Sequence, residues 1–251
     1  MDSRQKAIFQ RLVDKIVGPP LSGVALFQLK DIPLHDEHAT TLFDLLGQYP
    51  QPFRLWLENV TPRRCNPTAV PEDETPTPEP VFGQLSKLLS STASQLCFLT
   101  LNSHALSPDS LQTLVSSLHR HPHLQELTIH HTNLSSPQSA AALSQLLLPD
   151  LAPLSLESLS LWDDLISAEG ICVLSQALKS NTSLLSLNLS RNRASDVGAA
   201  ALATSLVQNN TLRRLLLFGN QVTDVGCIGM ANSEEENHCS GSFSFFSSFL
   251  F

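Results

Sequence analysis

The chain has 251 residues, of which 42% are hydrophobic and 15% are charged, and its formal net charge is -8. This composition supplies apolar side chains for a substantial core and argues against general disorder. An acidic chain repels phosphate backbones, so the charge argues against nucleic acid as a partner. No apolar run reaches about 18 residues, so no membrane span is predicted.

The N-terminal segment, residues 1–23, begins with MDSRQKAIFQRLVDKIV, which has the spacing of an amphipathic helix. We predict that this helix caps the N-terminal end of the fold. It lacks the apolar stretch and the small-residue cleavage site of a secretory signal. Five scattered cysteines without a C-x-x-C pair favour free thiols in a reducing compartment. We therefore expect a cytoplasmic location.

An internal repeat of 28 residues is the main signal in the chain. The clearest two units fit the pattern L-x-x-L-x-L-x-x-N and begin at Leu184 and Leu212. Four of the six offsets between neighbouring units are 28 residues, a regularity that predicts a repeat architecture. We count seven units, whose first positions are Val24, Pro52, Leu96, Leu124, Leu156, Leu184 and Leu212.

The two units in residues 24–60 are degenerate, and residues 81–230 carry the regular ones. Between them, residues 61–80 contain six prolines and four acidic residues, a composition that predicts an extended loop. This loop is either a tolerated insertion or a docking or phosphorylation segment. Thr75 and Thr77 are the candidate phosphorylation sites because each precedes a proline.

The second half of each unit has helical periodicity. Ile171, Leu174 and Leu178 recur at spacings of three and four residues, which places them on one apolar helix face. Asp109 and Asp196 precede such patterns and are predicted N-caps. Glycine recurs at one repeat position, where we expect each helix to begin close to its neighbour; these residues are Gly170, Gly198 and Gly226.

These elements predict the architecture. The L-x-L segment of each unit is a short strand, and the helix packs over the same leucines. One unit cannot bury enough apolar surface to fold alone, so the units must stack and share a core. We predict an α/β fold, a curved solenoid with parallel strands on the concave face and helices on the convex face.

The turn between units supports a family resemblance, because residues 181–184 read NTSL and residues 210–212 read NTL. With a unit of about 28–29 residues, the chain resembles the ribonuclease-inhibitor-like class of leucine-rich repeats. It is most similar to the repeat regions of nucleotide-binding-domain, leucine-rich-repeat receptors of innate immunity, although a G-x-x-x-x-G-K-[ST] motif is absent from the sequence. The resemblance is specific over residues 96–226 and weak over residues 24–60.

The chain departs from this family at the asparagine that ends the motif. That asparagine normally bonds neighbouring backbone in the turn, so we expect less regular turns in the first five units. The residues at this position there are Ile32, Val60, His104, Thr132 and Asp164.

The C-terminal residues 231–251 break the pattern where the last helix should continue. The final 12 residues comprise five Phe, five Ser, one Gly and one Leu, too few to span a bilayer. The tail is either a translated intron or alternative final exon, or an aromatic segment that inserts into a membrane interface or a partner. Because the last unit lacks a polar cap, we predict self-association through the uncapped C-terminal end.

The strand residues between the leucines point away from the core and onto the concave face. Both tryptophans of the chain, Trp56 and Trp162, fall on these positions, and tryptophan is enriched at binding hot spots. The alternative for Trp56 is burial by the neighbouring Pro-rich loop. Asn102 and Ser190 also occupy outward positions. The predicted protein-binding residues are Trp56, Glu58, His130, Trp162, Asp163, Asn188, Arg191, Arg214, Leu216 and Phe218.

Catalytic chemistry is not predicted. The histidines His104, His130 and His131, and the turn histidines His119, His121 and His123, have no cysteine or carboxylate that completes a metal site. The sequence has no G-x-S-x-G, H-E-x-x-H or Gly-rich phosphate loop. We therefore expect no enzyme activity, no metal and no cofactor.

The sequence favours a protein–protein interaction module, such as a scaffold, an inhibitor or a recognition array, that binds a protein partner on its concave strands. Two alternatives stay open. One is a regulator of a small GTPase that resembles Ran GTPase-activating protein, which has the same repeat architecture. The other is a truncated repeat fragment of an innate immune receptor, which the unusual C-terminus suggests.

Overall fold

Parallel strands and helices alternate along the chain, and each strand pairs with the next strand in sequence. The structure, a computed structural model, describes residues 3–17, 23–31, 36–60, 80–91, 93–104, 106–149, 154, 156–236 and 244–245. Within these residues one sheet has eight strands: β1 (Ala25–Lys30), β2 (Phe53–Glu58), β3 (Leu96–Asn102), β4 (Glu126–His130), β5 (Ser158–Trp162), β6 (Ser186–Asn188), β7 (Arg214–Leu216) and β8 (Ser244–Phe245).

Helices connect the strands and pack side by side on the other face of the fold. They are α1 (Ser3–Val17), α2 (Asp36–Gly47), α3 (Pro80–Ser90), α4 (Pro108–Leu118), α5 (Pro137–Gln145), α6 (Ala168–Leu178), α7 (Ser195–Leu206) and α8 (Asp224–Glu236). The predicted α/β solenoid, with strands on the concave face and helices on the convex face, is confirmed. None of the helices in the described part of the chain is long and apolar enough to cross a membrane.

The strand register follows the repeat period. Leu127 of β4 pairs with Leu99 of β3 on one side and with Leu159 of β5 on the other. Equivalent residues therefore lie side by side, and the inward side chains form continuous buried layers between sheet and helices. One such layer contains Phe27, Leu55, Leu99, Leu127, Leu159, Leu187 and Leu215. The offsets predicted from the leucines match this register from β1 to β7.

A left-handed residue follows each strand from β1 to β7. Its N–H group continues the ladder to the next unit; for example, Asp31 donates to the carbonyl of Glu58 at 3.0 Å. Aspartate, asparagine and histidine adopt this conformation more readily than other side chains. The seven residues have φ angles between 48° and 70°; they are Asp31, Asn59, Ser103, His131, Asp163, Arg191 and Gly219. Each of these seven strands thus leaves the sheet by the same turn, and all but β7, which is followed by Gly219, place one side chain at the rim.

Serine, not aspartate, caps the N-termini of helices α4, α5 and α6. Ser107 precedes Pro108, and its hydroxyl accepts a hydrogen bond from the Ser110 N–H at 3.1 Å. Ser136 and Ser167 cap α5 and α6 in the same way. The prediction that Asp109 is an N-cap is wrong, because Asp109 lies inside the first turn of α4. The capping side chain must precede the helix to reach the free N–H groups.

Asp196 is also not an N-cap, since it lies inside the first turn of α7 and that helix has no side-chain cap. Its carboxylate instead accepts from the backbone N–H and the hydroxyl of Thr223 in the next unit, at 2.7 Å and 2.6 Å. These two hydrogen bonds lower the pKa of Asp196. The residue therefore joins two neighbouring units.

The recurring glycines lie where helices approach their surroundings closely, as predicted. A Cβ atom on Gly170 would lie 2.9 Å from Cγ2 of Ile166 and 3.3 Å from Cβ of Ala140. A Cβ atom on Gly226 would lie 2.5 Å from a carboxylate oxygen of Asp196. At these distances a side chain would force the neighbouring helices apart.

We expect Gly170→Ala to lower the free energy of unfolding by about 1–2 kcal/mol, because overpacking outweighs the higher helix propensity of alanine. Gly83→Ala in α3 is the matched control, since no atom lies within 4 Å of its added Cβ. That variant should gain about 0.5–1 kcal/mol. Urea unfolding measures both; equal shifts for the two variants would show that the close approach at Gly170 is not maintained.

The residues at the last position of the L-x-x-L-x-L-x-x-N motif form a ladder of buried hydrogen bonds. Asn192 Nδ2 donates to the carbonyls of Leu161 and Leu189, and its Oδ1 accepts from the N–H groups of Asp164 and Ile166. Asn220 repeats this role one unit later. Each asparagine thereby satisfies backbone groups of two neighbouring units.

His104 and Asp164 occupy the same position with different chemistry. His104 Nε2–H donates to the carbonyl of Leu57 at 3.2 Å, the equivalent of the Asn192 bond to Leu161. Burial lowers the pKa of His104. A neutral imidazole thus keeps one of the backbone contacts of the asparagine, and the expectation of a less regular turn at this unit stays a prediction. Asp164 Oδ1 accepts from the Thr132 N–H at 2.8 Å, whereas its buried Oδ2 atom has no hydrogen-bond partner.

A second ladder lies in the turns between helix and strand. Asn181 and Asn209 each accept two backbone N–H groups of the turn and donate to carbonyls of the preceding unit. His121 occupies the equivalent position and is completely buried. Its Nδ1 atom accepts from the His123 N–H at 3.4 Å, and its Nε2 atom has no partner.

The C-terminal end differs from the sequence prediction. The boundary placed at residue 231 falls inside helix α8, which continues to Glu236 because Ala231 and the glutamates are good helix formers. Ser244 and Phe245 then pair with Arg214 and Leu215 as β8, so the tail itself adds a strand to the last regular one. The other tail residues and the predicted loop at 61–79 lie outside the described residues.

Candidate protein-binding face

The concave face consists of side chains that alternate with the buried leucines. In β2, for example, Phe53, Leu55 and Leu57 are buried, whereas Trp56 and Glu58 are half-buried on the opposite side. The register places these outward side chains in rows across the sheet, about 4.8 Å apart from strand to strand. Asn102 and Ser190 depart from the predicted pattern because Asn102 is buried at the end of β3 and Ser190 is buried two residues after β6.

Aromatic rings form a strip across this face. The ring of His130 lies 5.8 Å from Trp162 in the neighbouring strand and 6.4 Å from Trp56, two strands away. Trp56 reaches His130 across β3, where its register partner is the small Thr100. His131 adds a contact to Trp162 with ring centroids 4.7 Å apart. We call Trp56, His130, His131 and Trp162 the aromatic strip.

Charged side chains contact the aromatic strip at its edge beside Trp162 and His131. The guanidinium of Arg191 lies 5.3 Å from the Trp162 ring centre, a cation–π distance. His131 Nδ1 lies 3.3 Å from a carboxylate oxygen of Asp163. Asp163 and Arg191 reach these positions because each is the left-handed residue that follows its strand.

Two ring nitrogens of the strip are buried without a hydrogen-bond partner. They are Nε1 of Trp56 and Nδ1 of His130. Burial lowers the pKa of His130 and the adjacent His131 lowers it further, whereas Glu58 opposes this shift. His130 is therefore a neutral imidazole at pH 7. Unpaired buried polar atoms are rare in folded proteins, and these two belong to residues on a solvent-facing sheet surface.

The N-terminal side of the face carries paired charges. Lys30 Nζ lies 2.7 Å from Glu58 Oε1, and this contact raises the pKa of Lys30. The guanidinium of Arg54 lies 4.0 Å from the centre of the Phe98 ring. The sequence prediction omitted Arg54 and Phe98, although each directly precedes the central leucine of its strand and the two residues register with each other. That shared repeat position is the signal that could have identified them.

The remaining predicted residues lie on the C-terminal side, separate from the aromatic strip. Arg214 is exposed, Leu216 is half-buried, and Phe218 is 37% exposed. Asn188 Oδ1 accepts from the Ser190 N–H at 3.0 Å, so part of its polar capacity is used within the turn. The structure thus places all ten predicted residues on the strands or at the turns that follow them, in two groups.

The histidines outside the face have structural contacts. His119 Nε2–H donates to the carbonyl of Gln145 at 3.3 Å, and burial lowers the pKa of His119. His121 is buried in the turn ladder. Across the described ranges, no group of three or more His, Cys, Asp or Glu residues could hold a metal ion.

Comparisons with known proteins agree with this architecture. A family model described as "Leucine Rich repeat" matches residues 180–203 and 208–231, the sixth and seventh units. No curated protein matches the chain. Among solved structures, the C-terminal domain of tropomodulin from Caenorhabditis elegans is similar, with 14% identity and a TM-score of 0.51. This likeness covers 62% of the chain and 93% of that domain.

Two further solved structures are less similar. Leiomodin-1 actin-binding site 2 has 14% identity and a TM-score of 0.43, covering 70% of the chain and 83% of that structure. A protein from Bacteroides fragilis has 13% identity and a TM-score of 0.49. This likeness covers 85% of the chain and 60% of that structure. Together, the repeat match, the tropomodulin likeness and the strand register identify the chain as an α/β leucine-rich-repeat solenoid.

Proposed function

We propose that this chain is a protein-binding module that holds a protein partner on its concave strand face. The aromatic strip carries the proposal, because it gathers two tryptophans and two histidines from three strands and the turn after β4. Tryptophan supplies a large contact area at low cost in conformational entropy and is enriched at binding hot spots.

The polar surroundings fit a protein partner. Lys30 and Glu58 lie at one side of the strip, and Asp163 and Arg191 lie at the other. An aromatic centre with a charged rim is the usual anatomy of a protein interface. The leucine-rich-repeat architecture supports the proposal only as a likeness of fold. The location of the site is argued from the aromatic strip and the charged residues around it.

Site-specific photo-cross-linking tests the location. A benzophenone amino acid at Thr128 or Ser160, both half-buried on the concave face, should give covalent adducts with a protein partner in cells. The same amino acid at Gln176 or Thr204, both exposed on convex helices, is the control and should give none. Adducts from the convex positions alone would contradict the proposed face.

Substitution of the tryptophans tests the energetics. Trp56→Ala combined with Trp162→Ala should weaken capture of the cross-linked partner by at least about thirtyfold, since hot-spot tryptophans contribute about 2 kcal/mol or more. Val173→Ala combined with Ile228→Ala removes exposed apolar side chains from the convex helices and should leave capture unchanged. Circular dichroism must show the same helix content for both variants. Unaltered capture by the tryptophan variant would reject the aromatic strip as the binding site.

Three more specific possibilities for the function and assembly of the chain stay predictions. They are regulation of a small GTPase, origin as a fragment of an innate immune receptor, and self-association through the C-terminal end. A GTPase assay with and without the chain tests the first of these, and acceleration of GTP hydrolysis by the purified chain would favour it.

A further inference from the structure

Four exposed arginines are concentrated in the sixth and seventh units. Arg213 and Arg214 begin strand β7, and Arg191 and Arg193 lie in the turn that follows strand β6. The chain as a whole has a net charge of -8, so this concentration of positive charge opposes the overall balance. The arginines therefore form a local basic surface at both ends of the last strands.

These arginines are not neutralised within the described residues. The ion pairs found there join Lys30 to Glu58 and His131 to Asp163. The carboxylate of Asp196, which is close in sequence, is bound by Thr223. Arg191 contacts the Trp162 ring, which leaves its guanidinium N–H groups available to an acceptor.

Small outward side chains lie between the two groups of binding residues, where they leave space beside the larger Trp162 and Leu216. Ser158 and Ser186 pair in one outward row, and Ser160 and Asn188 pair in the next. Trp162 borders this trough on β5, and the rows continue to Arg214 and Leu216 on β7, where Arg214 pairs in turn with Ser244 of β8. We call Ser158, Ser160, Ser186 and Asn188 the serine trough.

We propose that the serine trough and its flanking arginines bind an acidic protein segment that carries an aromatic or aliphatic side chain. This inference rests on the proposed function and names the chemistry of the partner. Carboxylates of the segment pair with Arg191 and Arg214, whose planar guanidinium groups suit bidentate contacts. The apolar side chain fills the space above the serines, against Trp162 and Leu216.

The dimensions fit a short extended segment. Arg214 registers with Ser186, and Arg191 follows Ser186 by five residues. At about 3.3 Å per residue, the two arginines lie at most about 17 Å apart along the strand direction. An extended peptide of about five or six residues spans that distance, so two of its carboxylates can reach both arginines at once.

A polyphosphate such as RNA fits this surface less well. Glu126 of β4 pairs with Ser158 of β5 at the border of the serine trough. Glu157 is exposed directly before β5. These carboxylates and the net charge of -8 repel a continuous phosphate backbone beyond the arginines. A short acidic segment can be placed between them.

Selection from a phage-displayed random peptide library tests the proposal directly. The full chain should enrich peptides with glutamate or aspartate beside an aromatic or aliphatic residue. Arg191→Glu combined with Arg214→Glu should lower the affinity of a selected peptide by at least about tenfold, and added NaCl should weaken wild-type binding. The matched control is Arg11→Glu combined with Lys87→Glu, since both residues are exposed on helices, and it should change affinity by less than about twofold.

The outcomes separate this inference from the proposed function. Enriched peptides without an acidic preference, whose binding is lost in the Trp56→Ala, Trp162→Ala variant, would overturn the partner chemistry but keep the concave face. Peptides that are insensitive to both pairs of substitutions, or no enrichment at all, would overturn both. Binding of a single-stranded RNA of about 20 nucleotides that displaces the selected peptide would overturn the acidic segment in favour of nucleic acid.

Discussion

Replacing Asp164 with asparagine is expected to raise the free energy of unfolding by about 2–4 kcal/mol at pH 7. Asp164 is completely buried at the position where Asn192 and Asn220 form the backbone ladder. Burial raises its pKa from 3.8 to about 8, while the hydrogen bond from Thr132 opposes the shift and nearby Asp163 adds to it. The side chain is therefore protonated in the folded chain at pH 7 and ionised in the unfolded chain.

The geometry explains why asparagine suits this position better. Asp164 Oδ1 already accepts from Thr132 N–H, as the amide oxygen of Asn192 accepts from Asp164 N–H. Its Oδ2 atom has no hydrogen-bond partner, whereas the equivalent Nδ2 atom of Asn192 donates to carbonyls. An amide supplies that donor at every pH, but a carboxyl group supplies it only when protonated.

The pH dependence provides the decisive measurement. Since the folded-state pKa is raised, the stabilising contribution of Asp164 is complete below about pH 4 and is lost as the pH rises to about 8. Urea unfolding at pH 5 and pH 8 should show the advantage of Asp164→Asn growing by about 1.4 kcal/mol per pH unit. Asp44→Asn, which replaces an exposed carboxylate on α2, is the control and should show no such growth. A pH-independent difference would mean that Asp164 ionises near its ordinary pKa.

The sequence predicted the repeat register accurately because leucine spacing and strand pairing follow the same period. Leu99, Leu127 and Leu159 lie at the predicted offsets, and an interruption of four residues before Leu156 leaves the pairing intact. Inserted residues in a surface turn need not disturb the shared core, since the strands and helices of neighbouring units can still pack in register.

The polar positions were less predictable from the sequence, since they depend on hydrogen-bond geometry and not on periodicity. His104 reproduces an asparagine contact through its Nε2–H group, although its residue type suggests a break in the ladder. The prediction of Asp109 as an N-cap failed because Ser107, two residues earlier, lies nearer to the free N–H groups. The Ser-Pro pairs at 107–108 and 136–137 carried that signal, since proline is favoured in the first helical turn.

The candidate site was predictable only as rows of outward residues. Trp56, His130 and Trp162 were assigned to the concave face by counting along each unit. Their assembly into one strip depends on the small Thr100 between Trp56 and His130, and on the turn that brings His131 against Trp162. Neither relation follows from the period, because both require the size and direction of side chains in neighbouring strands.

His121 is expected to lower the free energy of unfolding in mild acid, and His121→Asn should abolish this loss of stability. Burial lowers the pKa of His121 from 6.5 to about 4, and the charge of His123 adds to the shift. The folded chain therefore holds a neutral imidazole that the unfolded chain protonates below about pH 6.5. Its contribution to stability is present above that pH and is lost as the pH falls toward 4.

The expected difference between wild type and His121→Asn is about 2 kcal/mol greater at pH 5 than at pH 7. Asparagine suits the position because Asn181 and Asn209 occupy it in later units, where each donates to a carbonyl and accepts two N–H groups. His123→Asn replaces an exposed neighbour and serves as the control, with a much smaller change. Thermal unfolding at both pH values distinguishes the variants. If His121→Asn and wild type lose stability equally at pH 5, the acid sensitivity originates elsewhere and the imidazole of His121 is accessible to protons without unfolding.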